Sequence, residues 1–292
     1  LGVNHNKIGD FLSNFYSRRI KRLYPALLFF ILVISFFTYL FDPSIKQNLR
    51  MGLTSLLGIS NIYIFQQQSD YFGPVQELNP LLHTWSLAVE EQFYLIFPLI
   101  TWFSGFNRNT RRGAQNLFLI MLVLAIASFS VFFALYNINF PAAYFLTSSR
   151  VWEIALGSIC FLLINKKIKL ETKLQKIPPS VFIFLIIISM FLPITYGLYT
   201  TTLVVVSTML LLVCLKDNTF LYKFFTKKKV IFIGKISYSL YLWHWGVLAV
   251  SRLTIGIHWW SVPFQIALIV LLSIFSNKYI ETPFRNISLI NK

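Results

Sequence analysis

Long apolar runs, separated by short polar loops, dominate the sequence of this 292-residue chain. A helix that spans a membrane needs about 20 predominantly apolar residues, and eight runs approach that length. The predicted spans are Leu23–Phe41, Leu87–Phe103, Leu117–Tyr136, Tyr144–Ile164, Val181–Tyr196, Leu198–Leu215, Ile231–Val250 and Val262–Phe275. The pattern therefore predicts an all-α protein, a polytopic transmembrane helix bundle of about eight spans that forms a single domain over residues 1–292.

A ninth apolar segment, Met51–Phe65, is shorter and contains hydroxyl and amide side chains. It fits a re-entrant segment, a segment buried in the bundle, or a true span. Positive charges help to choose, because Lys and Arg in short loops stay on the cytoplasmic side. With eight crossings, 22 of the 26 Lys and Arg residues fall on one side, whereas a ninth crossing splits them. We therefore predict that Met51–Phe65 does not cross and that both chain termini are cytoplasmic.

Composition and charge agree with a membrane protein. Only 12% of the residues are charged and 56% are hydrophobic, whereas soluble domains average about 25% charged residues. Topology and anionic lipid account for the net charge of +16, so we expect no nucleic-acid partner. Cys160 and Cys214 lie in apolar runs without metal-ligand spacing, and we expect neither a bound metal nor a bound cofactor. Because the first residue is Leu1, we expect the natural chain to begin upstream.

The segment that opens the second predicted span carries several ionisable residues. Such residues cost about 2.5–3.5 kcal/mol each within a membrane, so each marks a candidate site. Asn79 suits a helix N-cap and Pro80 the first helical position. A helix that starts there places His83 and Glu90 on one face, with Glu91 beside them. These residues are candidates for catalysis. Alternatively, His83 is an interfacial anchor and the acidic residues bond neighbouring helices.

Two later spans also carry polar residues at helical spacing. Arg150 and Glu153 are three residues apart, so they can form an ion pair on one helix face. We favour a structural role for this pair. Ser237, Tyr241 and His244 recur at i, i+4 and i+7, which predicts a polar stripe along one helix. The stripe fits either a lined cavity or a hydrogen-bonded structural group.

A basic cluster lies just before the first predicted span. Arg19 and Arg22 are three residues apart, and two guanidinium groups at that spacing suit a ligand that carries phosphate. From the residues alone, an anchor that orients the helix is the better interpretation. The sequence lacks the Gly-x-Ser-x-Gly, Walker A and His-Glu-x-x-His motifs, which removes the usual support for hydrolase, nucleotide-motor and zinc-protease functions.

Together these motifs resemble the acyltransferase 3 family, the bacterial integral-membrane O-acyltransferases that acetylate lipopolysaccharide O-antigen, peptidoglycan and other surface glycans. The resemblance covers nearly the whole chain in family order. It runs through Phe15–Pro25, Leu82–Tyr94, Arg150–Gly157, Gly234–Trp245 and Ile280–Arg285.

The resemblance implies an enzyme of the bacterial inner (plasma) membrane. Acyl-CoA, usually acetyl-CoA, is the expected donor on the cytoplasmic side, and a hydroxyl of an external glycan is the expected acceptor. Arg19 and Arg22 match the Arg-x-x-Arg pair thought to engage the donor, which reverses the preference for an anchor. The catalytic candidates are His83, Glu90, Glu91, Tyr241 and His244.

The chain departs from the family pattern at its start. Family members carry two further apolar segments upstream, the first with a His regarded as catalytic, and His5 does not match that position. Those segments would bring the eight predicted spans to ten, and we expect this fragment alone to be inactive. A solute transporter and a non-catalytic remnant stay open as alternatives, although we see no inverted repeat of the kind typical of transporters.

The Glu281–Phe284 motif is typical of longer relatives that continue into an SGNH-type hydrolase-like domain. If such a domain follows outside the membrane, the C-terminus is not cytoplasmic, and the simplest explanation is that Met51–Phe65 crosses.

Overall fold

The computed structural model describes residues 7–41, 45–67, 79–108, 110–165, 177–217 and 219–287. Within these ranges the chain is helical and contains no strand, so the predicted all-α class is confirmed. The helices are α1 (Ile8–Phe41), α2 (Ile45–Leu56), α3 (Ser60–Gln66), α4 (Thr84–Phe103), α5 (Arg111–Ile138), α6 (Phe140–Phe145), α7 (Thr147–Asn165), α8 (Pro179–Ser189), α9 (Gly197–Cys214), α10 (Phe220–Phe225), α11 (Lys228–Leu253), α12 (Val262–Ser276) and α13 (Thr282–Asn286).

Five helical segments of the described chain are long and apolar enough to cross a membrane. They are Ile8–Phe41, Arg111–Ile138, Phe140–Asn165, Gly197–Cys214 and Val262–Asn286. The predicted spans within α4 and α11 do not reach the same mean hydropathy because polar and ionisable residues interrupt them, and α8 is shorter. The structure therefore supports a bundle of spanning helices, while the count of eight spans stays a prediction.

Several boundaries differ from those predicted. Helix α1 begins at Ile8, well before the predicted start at Leu23, because the intervening Arg, Lys and Leu residues are good helix formers. The predicted span Tyr144–Ile164 is interrupted at Leu146, between α6 and α7. The segment Met51–Phe65 is two helices separated at Gly58, whose φ of 67° is favourable only for glycine. Whether this segment crosses the membrane stays a prediction.

The chain forms two compact units. We call residues 100–232 the contiguous unit, and residues 5–99 together with 233–292 the split unit. The contiguous unit contains α5 to α10. Its core includes Trp152 of α7, which is buried and packs its ring against Phe129 and Phe132 of α5 at centroid distances of 5.1 and 5.8 Å.

The split unit contains α1 to α3, most of α4 and α11, and the chain from α12 to α13. Phe30 of α1 is fully buried and packs edge-on against Trp243 of α11 at 5.3 Å. Gly246, one turn further along α11, leaves room for Phe30 and Ile34, since a Cβ there would lie 2.7 Å from the Phe30 ring. Between α12 and α13, residues Asn277–Glu281 form a π-helical turn.

Candidate functional site

Arg19, one of the two predicted donor-binding arginines, lies against α4. Its guanidinium carbon is 4.2 Å from the centre of the Tyr94 ring and 5.5 Å from that of Phe15. Stacking on an aromatic face orients a guanidinium without neutralising it. Arg22, on the same side of α1, is exposed. Arg19 therefore places its positive charge between α1 and α4, whereas Arg22 places its charge at the exposed surface of α1.

Arg19 lines a pocket of about 490 Å³ in the split unit. The walls come from α1, from the break between α2 and α3, and from α4. The lining is mostly apolar, with a few polar groups. The lining residues are Tyr16, Arg19, Ile20, Leu23, Tyr24, Leu57, Gly58, Glu91, Gln92, Tyr94 and Leu95. An apolar pocket with a few convergent polar groups is typical of a small-molecule site.

The two adjacent acidic residues of α4 differ in environment. Glu90 is exposed, and the Tyr94 hydroxyl donates to its Oε2 at 3.5 Å. Arg19 and Arg22 lie near enough to interact with its carboxylate electrostatically. Glu91 lines the pocket with 9% of its surface exposed, and neither carboxylate oxygen has a hydrogen-bond partner among the described residues. Glu91 is therefore a polar group available to a ligand.

The next residue, Gln92, fixes the pocket wall. Its Nε2 donates to the Gly58 carbonyl and to Asn61 Oδ1, both at 2.8 Å. A Cβ at Gly58 would lie 2.7 Å from Glu91 Oε2. The break between α2 and α3 is therefore pinned to α4, and the absence of a side chain at position 58 makes room for the Glu91 carboxylate.

A second cluster surrounds His83, which is 6% exposed. Its ring centre lies 5.0 Å from that of Tyr241 and 5.6 Å from that of His244. The backbone of Tyr241 approaches the imidazole, but neither ring nitrogen has a partner at hydrogen-bonding geometry within the described chain. The Tyr241 hydroxyl bonds Ser86 Oγ at 2.8 Å and donates to the His83 carbonyl.

Three predicted details of this region are wrong. Helix α4 begins at Thr84 and not at Pro80, because the preceding residues form turns with i→i+3 backbone bonds, such as that from the Leu82 amide to the Asn79 carbonyl at 3.2 Å. His83 therefore precedes the helix and does not share a helical face with Glu90. Ser237 is exposed, so the polar stripe of α11 is reduced to Tyr241 and His244.

The structure also reveals buried polar residues that we did not select from the sequence. Ser239 is fully buried and donates to Glu281 Oε2 at 3.2 Å, and Asn277 Nδ2 donates to the same oxygen at 2.9 Å. Glu281 belongs to the Glu281–Phe284 motif noted in the sequence. Its contact with α11 depends on the π-helical turn at Asn277–Glu281, which no local sequence pattern predicts. The Trp245 indole donates to the Asn79 carbonyl at 2.9 Å.

Arg150 and Glu153 lie in the contiguous unit. They form an ion pair, and Arg150 Nε donates to the Tyr144 carbonyl at 3.0 Å. The guanidinium also lies over the Tyr144 ring at 4.7 Å. Across the described residues, no group of three or more His, Cys, Asp or Glu side chains is arranged to hold a metal ion.

The profile of a family described as "Acyltransferase domain" matches residues 5–277. O-acetyltransferase OatA of Staphylococcus aureus strain NCTC 8325 / PS 47 is 31% identical over 297 residues, and OatA of strain COL matches at the same identity. Each alignment covers 94% of this chain and 47% of the relative, so the chain spans about half the length of these curated relatives. No solved structure matches the chain.

Proposed function

The chain belongs to the acyltransferase 3 family, and on this premise we propose that the whole protein transfers an acetyl group from acetyl-CoA to a hydroxyl of a cell-surface glycan. The similarity to two proteins named O-acetyltransferase supports the acetyl group and the oxygen acceptor. The glycan, the CoA thioester and a location in the bacterial plasma membrane come from the family resemblance. The observation that carries the proposal is the pocket that joins Arg19 to the buried Glu91.

We assign the donor to this pocket. The phosphates of CoA carry negative charge, which the guanidinium groups of Arg19 and Arg22 can neutralise through charge-assisted hydrogen bonds. The apolar lining suits the uncharged arm that ends in the thioester, and the Glu91 carboxylate can accept a hydrogen bond from an amide of that arm. The positive-inside distribution of charge supports entry from the cytoplasmic side.

We assign the acceptor to the His83 cluster. Thr84, the first residue of α4, and Glu91 are separated by about 10 Å along the helix axis, at 1.5 Å per residue, and His83 directly precedes Thr84. The donor and the acceptor can therefore reach the same helix at different depths. His83, with two unpartnered ring nitrogens, can hydrogen-bond the glycan hydroxyl and orient it for the base, which the family resemblance places in the upstream apolar segments. Tyr241 and His244 orient that imidazole or stabilise the charge that develops.

In this transfer the thioester of the donor is converted into an oxygen ester of the glycan. The glycan oxygen attacks the thioester carbonyl, a C–O bond forms and the C–S bond breaks. The hydroxyl proton passes to the base and then to the leaving thiolate, so CoA leaves as the thiol. Stabilisation of the oxyanion that forms at the carbonyl is the further requirement of such a reaction.

The donor assignment is tested in cells that carry the whole protein, by measuring the acetyl content of the surface glycan. We expect Arg19→Ala to lower acetylation about tenfold or more, because a hydrogen-bonded charge contact is lost, and Arg22→Ala to lower it less. Arg18→Ala is the matched control, since Arg18 is exposed and does not line the pocket. Wild-type acetylation in both the Arg19 and Arg22 variants would exclude the donor site.

Purified whole protein and labelled acetyl-CoA separate transfer from transport. An acyltransferase releases free CoA thiol in the presence of an acceptor, whereas a carrier leaves the thioester intact. Tyr241→Phe keeps the ring beside His83 but removes the hydroxyl bonded to Ser86, and we expect slower thiol release. Unchanged release by His83→Gln and by Tyr241→Phe would exclude the acceptor assignment.

A further inference from the structure

A lysine-rich and phenylalanine-rich segment lies between α9 and α11 in the contiguous unit. Residues 216–229 contain five lysines and one acidic residue. All five lysines are exposed. They are Lys216, Lys223, Lys227, Lys228 and Lys229. The segment therefore presents a positive surface, which we call the Lys/Phe surface.

Nothing in the described chain neutralises this charge. None of the five lysines forms an ion pair with a described acidic residue. The single acid, Asp217, is directed elsewhere, because its carboxylate accepts a hydrogen bond from Tyr222 and raises the pKa of that hydroxyl. The positive surface is thus available to an external anion.

The same segment exposes large aromatic side chains. Phe220 of α10 is 80% exposed, and Phe224 and Phe225 are also exposed. Lys227 Nζ lies 5.6 Å from the centre of the Phe224 ring, so an aromatic face and a cation are presented together. Exposed phenylalanines in water cost free energy, whereas the boundary between headgroups and acyl chains accommodates both aromatic rings and lysine.

The position of the segment in the chain places it at the boundary between headgroups and acyl chains. Helix α9 is one of the five segments long and apolar enough to span, and it ends at Cys214, two residues before Lys216. The segment therefore leaves the hydrocarbon layer directly into the headgroup layer. A juxtamembrane cluster of lysines at that depth attracts anionic lipid.

We propose that the Lys/Phe surface is a binding site for the headgroups of anionic phospholipids. The lysine ammonium groups pair with headgroup phosphates, and the phenylalanines of α10 insert among the upper acyl-chain carbons. Charge complementarity and the exposed aromatic side chains identify the membrane itself as the occupant. This site is independent of the acetyl-transfer reaction, and it would persist in a chain with no activity.

Lipid retention by the purified full chain tests the site. The chain in detergent is incubated with equal amounts of phosphatidylglycerol and phosphatidylcholine, and the lipid that remains bound is quantified by native mass spectrometry. We expect wild-type protein to retain phosphatidylglycerol in preference to phosphatidylcholine, and the triple variant K227Q/K228Q/K229Q to retain roughly tenfold less of it.

The control variant R108Q/R111Q/R112Q removes the same formal charge from other exposed residues of the same unit. These arginines also adjoin a segment long enough to span, but the five lysines and the phenylalanines of α10 stay in place in this variant. We therefore expect it to lose less phosphatidylglycerol than the lysine variant. An equal loss in both triple variants would overturn the proposal, because retention would then follow net charge and not this surface. Retention of phosphatidylglycerol that the lysine substitutions leave unchanged would also overturn the proposal. So would an acidic protein that co-purifies with the wild type in place of lipid.

The aromatic contribution is tested separately with F220S/F224S, which keeps every lysine. We expect this variant to lose phosphatidylglycerol severalfold, and added salt to lower retention further, because only the screened electrostatic attraction remains. Full retention by F220S/F224S would contradict the insertion of α10. The elution volume and helical circular dichroism of each variant show whether it folds.

Discussion

The contiguous and split units differ in the partners of their polar side chains. In the contiguous unit most hydrogen bonds made by side chains join residues within about one turn of the same helix. Thr202 donates to the Leu198 carbonyl, and Thr208 donates to the Val204 carbonyl. In the split unit many connect distant parts of the chain. Tyr241 bonds Ser86, and Ser239 bonds Glu281.

Polar side chains therefore have two different roles in this apolar bundle: some bond only within their own helix, and others connect different helices. A hydroxyl that donates to a carbonyl of its own helix satisfies its hydrogen-bonding requirement, but it does not fix the position of a neighbouring helix. A bond between helices fixes their relative register, and its loss leaves a buried group unpaired. The split unit, which contains the Arg19 pocket and the His83 cluster, therefore has the more strictly specified geometry, as a site that orients two substrates requires.

The largest predicted effect tests the one ion pair that joins described residues of the contiguous unit. Arg150→Met leaves the Glu153 carboxylate without its cation, and we expect a loss of about 3 kcal/mol in unfolding free energy. The double variant R150M/E153L should recover most of it, because no unpaired charge remains. Thermal unfolding in detergent measures both. Equal stability of the single and double variants would contradict a structural ion pair.

An intermediate effect is expected for Glu281 in the split unit. Glu281→Ala removes the acceptor of Ser239 and Asn277, and we expect a loss of about 2 kcal/mol from the unpaired buried groups. Glu281→Gln retains an acceptor oxygen and should lie closer to the wild type. Thr208→Val in the contiguous unit is the control, with a change within about 0.5 kcal/mol. If Thr208→Val and Glu281→Ala are equally destabilising in thermal unfolding, the contrast between the units is wrong.

The smallest effect compares two glycines of α11. A Cβ at Gly246 would lie 2.7 Å from the Phe30 ring and 2.9 Å from Ile34, whereas one at Gly234 would meet nothing within 4 Å. We expect Gly246→Val to cost about 1.5 kcal/mol through overpacking. Gly234→Ala should be neutral or stabilise by up to about 1 kcal/mol, because alanine is the better helix former. The order of their unfolding midpoints checks this, and a reversed order would contradict close packing at Gly246.

The sequence was sufficient for the class of fold and for some of the residues that the two clusters contain. Apolar runs predict helices because each helix satisfies its own backbone in lipid. His83 and Glu91 were identified because ionisable residues are rare in and beside such runs, whereas Arg19 was selected through the family resemblance. The contacts between these residues could not be predicted from the sequence, because tertiary packing brings α1 and α4 together.

The errors have local physical causes. The residues that follow Asn79 form turns with i→i+3 backbone bonds instead of an α-helix, which displaces the start of α4. The spacing of i, i+4 and i+7 selected Ser237, which is exposed, whereas Ser239 of the same helix is fully buried. Its partner Glu281 is 42 residues away and is presented by a π-helical turn. Periodicity within one helix carries no information about such a partner.

The break at Gly58 has a consequence for the evolution of the chain. Its left-handed φ excludes most residues, and the space above it holds Glu91 Oε2. A larger residue at position 58 would be strained by this φ, and the Glu91 carboxylate would have to turn away from the new side chain. Substitutions at positions 58 and 91 are therefore coupled, and homologous chains without the glycine should also differ in the environment of the residue at position 91.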